Sequence, residues 1–111
     1  MFELRNLRRA ISEYKNILQN YPEIIRENPD VYLEDLDKLL ELTSLYVGYQ
    51  RENLEILNSL NDLTIFKFIL LKKIRKKIIL NSLKNINLAS IYVSELDAIK
   101  LRISQIKIFK S

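Results

Sequence analysis

The 111-residue sequence predicts an all-α fold, a four-helix bundle-like domain with long helices and short loops. Three observations predict it. One Gly and two Pro leave almost no turn chemistry for a multi-hairpin sheet. Leu and Ile supply 36 residues, set among Glu and Lys, all of which are good or tolerable helix formers. Along most of the chain the apolar positions recur at steps of three and four, the period of one helix face. A length of 111 residues fits a single domain, 1–111, large enough for one core.

The first helix is expected from about Phe2 to Asn20, with Leu4, Leu7, Ile11, Tyr14, Leu18 and Tyr21 on one face. Pro22 ends it, because proline cannot continue the helical hydrogen-bond ladder. The second helix opens at Asn28-Pro29, a natural cap followed by a natural first-turn residue. Asp30, Glu34 and Asp35 then sit near its positive end. Its stripe runs from Tyr32 through Leu36, Leu39, Leu40, Thr43, Tyr46, Val47, Leu54 and Leu57 to Leu60, giving one helix over about 30–60. Gly48 is its weak point, at a cost of about 1 kcal/mol against Ala.

Asn61-Asp62 reads either as a short connection with Asp62 as the next cap or as a point the helix runs straight through. A third helix is expected over about 63–84, with Leu63, Leu70, Leu71, Ile74 and Ile78 on its core face. Ile65, Phe66, Phe68, Ile69 and Leu80 spread apolar surface well beyond that face, as in a helix central to a bundle or paired with another chain. Asn85-Ile86-Asn87 reads as a turn. A fourth helix follows, from Leu88 or Ser90 to Phe109, with Tyr92, Leu96, Ile99, Ile103 and Ile106 at heptad-like spacing.

Composition argues against catalysis. There is no His and no Cys, so the commonest general base, thiolate nucleophiles and cysteine-bearing zinc sites are absent. A lone Gly48 cannot build the phosphate-cradling loops that need several glycines. No cofactor or metal site is expected. Glu34, Asp37 and Glu41 share a helix face, but bundle di-metal sites also use His, so a solvated or partner-facing surface is expected there.

Charge is divided unevenly. Residues 1–62 hold 7 basic and 12 acidic side chains, and residues 63–111 hold 11 basic and 2 acidic. The basic run Lys72-Lys73-Ile74-Arg75-Lys76-Lys77 stacks Lys72 on Lys76 and Lys73 on Lys77, forming one ridge. Three readings stand for it: phosphate contact, a solvated face, or a contact with acidic protein surface. Arg5, Arg8 and Arg9 form a smaller patch of the same kind. The stretch from Leu63 to Leu83 is the most apolar, but its six charges make a membrane span untenable. Met1-Phe2-Glu3-Leu4-Arg5 lacks the long apolar run of a secretory leader, and with no Cys a cytoplasmic setting is expected. The large apolar surface of the last two helices predicts a partner chain, identical or different. The expected interface residues are Phe66, Ile69, Tyr92, Leu96, Ile99, Ile103 and Ile106.

Pro29-Asp30-Val31-Tyr32 opens the second helix, Arg51-Glu52-Asn53-Leu54 follows within it, and Lys76-Lys77-Ile78-Ile79-Leu80 ends a Leu/Lys-rich helix ahead of the segment Leu88 to Phe109. In order and spacing this layout resembles the helical domain of GINS subunits, most like the archaeal type that carries the helical domain first. Val31 stands where that family has Phe, and the resemblance covers the helical domain without the family's small β-rich second domain. The resemblance implies a non-catalytic replication scaffold, in contact with other GINS-type subunits, the MCM helicase and a RecJ-like or Cdc45-like partner, and nucleoid-associated in the cell. The rival expectation, from charge alone, is a helical nucleic-acid-binding homodimer that uses Lys72, Lys73, Arg75, Lys76 and Lys77.

Overall fold

The computed structural model describes residues 2–59 and 69–110, with the side chains of 59, 69–72 and 110 outside the description. Four helices make up nearly all of it: α1 (Leu4–Asn20), α2 (Pro22–Glu27), α3 (Pro29–Ser59) and α4 (Ile69–Lys110). No strand occurs among the described residues. The all-α class is therefore shown, but the four helices divide the chain differently from the sequence expectation.

Helix α1 starts after Glu3, whose extended backbone leaves its carbonyl to accept from the amides of Asn6 and Leu7, both at 3.1 Å. Leu7, Ile11, Tyr14 and Leu18 are buried, at the predicted steps of four, three and four. Tyr21, placed on the same stripe by the sequence, lies outside the helix and is largely exposed.

Pro22 does more than stop α1. It occupies the first turn of a six-residue helix, where a missing amide costs nothing, with Glu23 beside it at the positive helix end. Helix α2 was not anticipated. Its job in the packing is carried by Ile25, which is fully buried at one end of the bundle. Asn28 ends α2 and the buried Pro29 begins α3.

Helix α3 passes through Gly48 without a break. No residue in the described chain takes a positive φ, and a Cβ at Gly48 would meet nothing within 4 Å. The glycine therefore neither breaks the helix nor marks a close crossing.

Helix α4 is the largest departure. The expected turn at Asn85-Ile86-Asn87 is absent, and one helix of 42 residues replaces the expected third and fourth. The physical reason is visible in the sequence: after Gly48 there is no Gly or Pro, and Asn weakens a helix by only a few tenths of a kcal/mol. Ser82 and Ala89, on either side of the Asn pair, are buried against the rest of the fold and hold the segment in register. The expected connection at Asn61-Asp62, and the positions of Leu63, Ile65, Phe66 and Phe68, lie outside the described residues.

The helices assemble as a bundle with a long projection. Helices α3 and α4 run antiparallel, as the pairs Asp30–Lys107, Asp37–Lys100 and Leu57–Arg75 require. Helix α1 packs parallel to α4 and antiparallel to α3: Lys15 meets Glu95, Tyr14 meets Asp35, and Phe2 meets Tyr46 with ring centroids 5.3 Å apart. One core joins them, with Leu7, Ile11, Tyr14, Leu18, Ile25 and Leu36 facing Tyr92, Leu96, Ile99 and Ile103. At 1.5 Å per residue α4 spans about 63 Å, matching the 64 Å long axis of a molecule only 20 Å across.

Candidate interaction surface

The start of α1 divides the molecule in two. Phe2 lies against Tyr46, so α1 begins at the level of that residue on α3. Beyond Tyr46 on α3, and before about Leu88 on α4, no third helix among the described residues covers the pair. What projects is a two-helix arm, formed by residues 47–59 of α3 and the N-terminal half of α4.

The side chains on α4 change role at this boundary while keeping their period. Ile74, Ile78, Asn81, Asn85, Leu88, Tyr92, Leu96, Ile99, Ile103 and Ile106 follow one another at steps of three and four, so they share one face. Within the bundle that face meets α1: Leu96 and Ile103 are fully buried and Tyr92 and Ile99 nearly so. In the arm the same face has nothing from α1 to meet, and Ile74 and Ile78 are 48% and 46% exposed.

This corrects two expectations. Tyr92, Leu96, Ile99 and Ile103, with Ile106 partly buried beside them, form the chain's own core and are not an open interface. Their apolar excess is absorbed by α1 and α2, which the sequence alone does not position. Conversely, Ile74 and Ile78, expected as core, are half exposed. Phe66 lies outside the described residues, as does the side chain of Ile69.

The basic run is resolved into two kinds of residue. Arg75 turns inward: its guanidinium donates to the Leu57 carbonyl at 3.3 Å and ties α4 to α3, while its Nε is buried with no partner among the described residues. Lys73, Lys76 and Lys77 are exposed. The side chain of Lys72 lies outside the described residues. Leu80 and Leu83 are exposed among these cations, at 58% and 49%. The arm thus interleaves cations with exposed apolar side chains.

The acidic residues of α3 do not converge. Asp35 accepts from the Tyr14 hydroxyl at 2.5 Å, Asp37 pairs with Lys100, and Glu34 pairs with Lys38 at 3.7 Å. Burial, then the hydrogen bond to Asp35 and that residue's negative charge, push the Tyr14 phenol well above its ordinary range. Among the described residues no group of three or more Asp, Glu, His or Cys is placed to hold a metal. Arg5 bridges its neighbour Glu3 at 3.6 Å, and Arg8 and Arg9 are exposed.

Comparison with protein-family models, curated proteins and solved structures returns no match. The functional reading therefore rests on this geometry. Sequence reasoning also missed an exposed stripe on α3, Leu42, Leu45 and Tyr49, at helical steps of three and four. The signal was present as heptad spacing, but periodicity does not say which of two apolar stripes faces inward. Among the described residues, no helix is long and apolar enough to cross a membrane. A recess between Lys15, Leu18, Glu95, Ile99 and Arg102 is an open groove crossed by the Lys15–Glu95 pair at 3.3 Å.

Proposed function

We propose that this chain is a non-catalytic interaction subunit whose bundle anchors a two-helix docking arm. One observation carries the reading. The helix face that builds the core between Tyr92 and Ile103 continues into the arm, where Ile74 and Ile78 are left about half exposed. Apolar side chains in register on an uncovered helix pair are the usual substrate of helix-in-groove recognition. The surface recess offers no nucleophile paired with a base.

The specific role proposed is that of a GINS-like scaffold in DNA replication, contacting the MCM helicase, other GINS-type subunits and a RecJ-like partner. Two features support it. Pro29-Asp30-Val31-Tyr32 opens a long helix, with Asp30 fixed to Lys107 and the ring of Tyr32 edge-on to Tyr14 at 6.3 Å. Arg51-Glu52-Asn53-Leu54 follows on the same helix within the arm. The unbroken α4 departs from that family layout, in which the last helix follows a loop. Affinity capture from the native extract under nuclease treatment tests the role: MCM and a second GINS-type subunit should be retained by the wild-type chain and lost when Ile74 and Ile78 are both changed to Asp. Retention of neither by the wild-type chain removes the replication role.

A second reading is favoured by Lys73, Lys76 and Lys77, which are exposed and without ion pairs among the described residues. It is a nucleic-acid-binding homodimer that neutralises phosphates with the arm. Its mark is an affinity for duplex DNA that falls steeply with salt and with Lys→Gln substitution at those positions. No binding at low salt removes it.

A further inference from the structure

We infer that the occupant of the arm is an acidic amphipathic helix from a different protein, laid along α4 on the side that α1 covers lower down. This rests on the docking reading above and names the chemistry of its partner.

Shape comes first. In the bundle, that side of α3 and α4 holds α1, a helix parallel to α4. The same two supporting helices continue past the start of α1, offering a second helix the seat that α1 has below. The apolar floor there is Ile74 and Ile78, with the partly buried Leu57 across from them on α3. Asn81 and Asn85 occupy the stripe nearer the bundle, so the partner's apolar anchors belong at the distal end. The stretch from Ile74 to Leu88 is about 21 Å long at 1.5 Å per residue, which is four turns of helix.

Charge decides the partner's sign. In the bundle half every described lysine side chain is paired: Lys15 with Glu95, Lys38 with Glu34, Lys100 with Asp37 and Lys107 with Asp30. In the arm none of Lys73, Lys76, Lys77 and Lys84 forms an ion pair among the described residues. Lys77 and Lys84 flank the open seat, one helix position round from the Ile stripe. A partner with carboxylates beside an aliphatic stripe answers both features.

The same charges disfavour a second copy. Between residues 47–59 and 73–87 the chain carries six basic side chains and only Glu52 and Glu55 as acids, so two arms would repel. Duplex DNA answers the lysines but leaves Ile74 and Ile78 against phosphate, with nothing gained by their burial. An interfacial membrane helix separates its cations from its apolar residues on opposite faces. Here Lys73, Lys77, Leu80 and Lys84 alternate on one flank.

Fluorescence anisotropy tests the inference with a synthetic helix of about 18 residues, Leu at steps of three and four and Glu elsewhere. Its Lys-for-Glu counterpart, a 20-base-pair duplex and phosphatidylglycerol vesicles are run alongside. The Glu peptide should bind the full chain, and the Lys peptide should not. Ile74→Asp with Ile78→Asp should weaken binding at least tenfold, and so should Lys77→Glu with Lys84→Glu. The lysine-reversed variant should gain affinity for the Lys peptide, a readout that misfolding cannot produce. The inference is overturned if the two peptides bind equally, if neither binds, or if only duplex or vesicles bind. Native capture separates it from the reading beneath it. A partner lost on the Ile→Asp changes but retained on the Lys→Glu changes leaves the docking arm in place and removes the acidic helix.

Discussion

Ile78 and Ile103 lie on the same face of the same helix, yet their truncation to Ala should have very different costs. Ile103 is fully buried and Ile78 is 46% exposed. Removing three buried carbons loses about 2.4 kcal/mol at ~0.8 kcal/mol each. At Ile103 a cavity adds to this, which places the total at about 3–4 kcal/mol, within the usual range for buried aliphatic truncations. At Ile78 only about half the transfer term applies, roughly 1.2 kcal/mol, and no closed cavity forms. Alanine's better helix propensity returns a few tenths, leaving about 1 kcal/mol or less. Urea unfolding followed by far-UV circular dichroism measures both, with equal m-values as the check that the same surface unfolds. Equal losses for the two variants would refute the division of α4 into a core half and an open arm.

Other perturbations test other elements. Gly48→Ala should raise stability by about 0.5–1 kcal/mol in the same urea assay, because a Cβ there meets nothing and the helix gains propensity. Asn85→Pro should cost about 3 kcal/mol or more and lower helicity, since it interrupts α4, whereas a loop at that site would tolerate it. Tyr14→Phe should cost about 1 kcal/mol at neutral pH through the lost hydrogen bond to Asp35. Folding raises the Tyr14 phenol, so the unfolded chain ionises first. The stability it contributes is whole below about pH 10 and declines above it, by at most about 1.4 kcal/mol per pH unit. The gap between wild type and Tyr14→Phe, followed by urea titration at successive pH values, should narrow above that point.

Local rules made α1 and α3 legible. Leu7, Ile11, Tyr14 and Leu18 mark a single face, and Asn28-Pro29 marks a start that α3 obeys. Two features were not legible for different reasons. Helix α2 is too short to show a period, and its one buried residue, Ile25, reads as a loop hydrophobe until the bundle end it plugs is known. The Asn85-Ile86-Asn87 segment has weak turn chemistry that tertiary packing at Ser82 and Ala89 overrides. The candidate site was half readable. The lysines and the apolar excess of the C-terminal half are both in the sequence. Which apolar residues stay open depends on where α1 begins in space, and this moved the exposed set from Tyr92–Ile106 to Ile74 and Ile78. Arg75 looked like one more cation of the ridge, and only the α3–α4 register turns it into a cross-link to Leu57.

The claim that the arm docks a protein is tested most directly by quantitative capture from native extract, comparing wild type with the Ile74→Asp/Ile78→Asp variant under nuclease treatment. Both proteins should be folded, with similar melting curves, and the account predicts a defined set of proteins on the wild-type chain that the variant loses. The same set on both would contradict it and place the partner-binding surface elsewhere on the molecule.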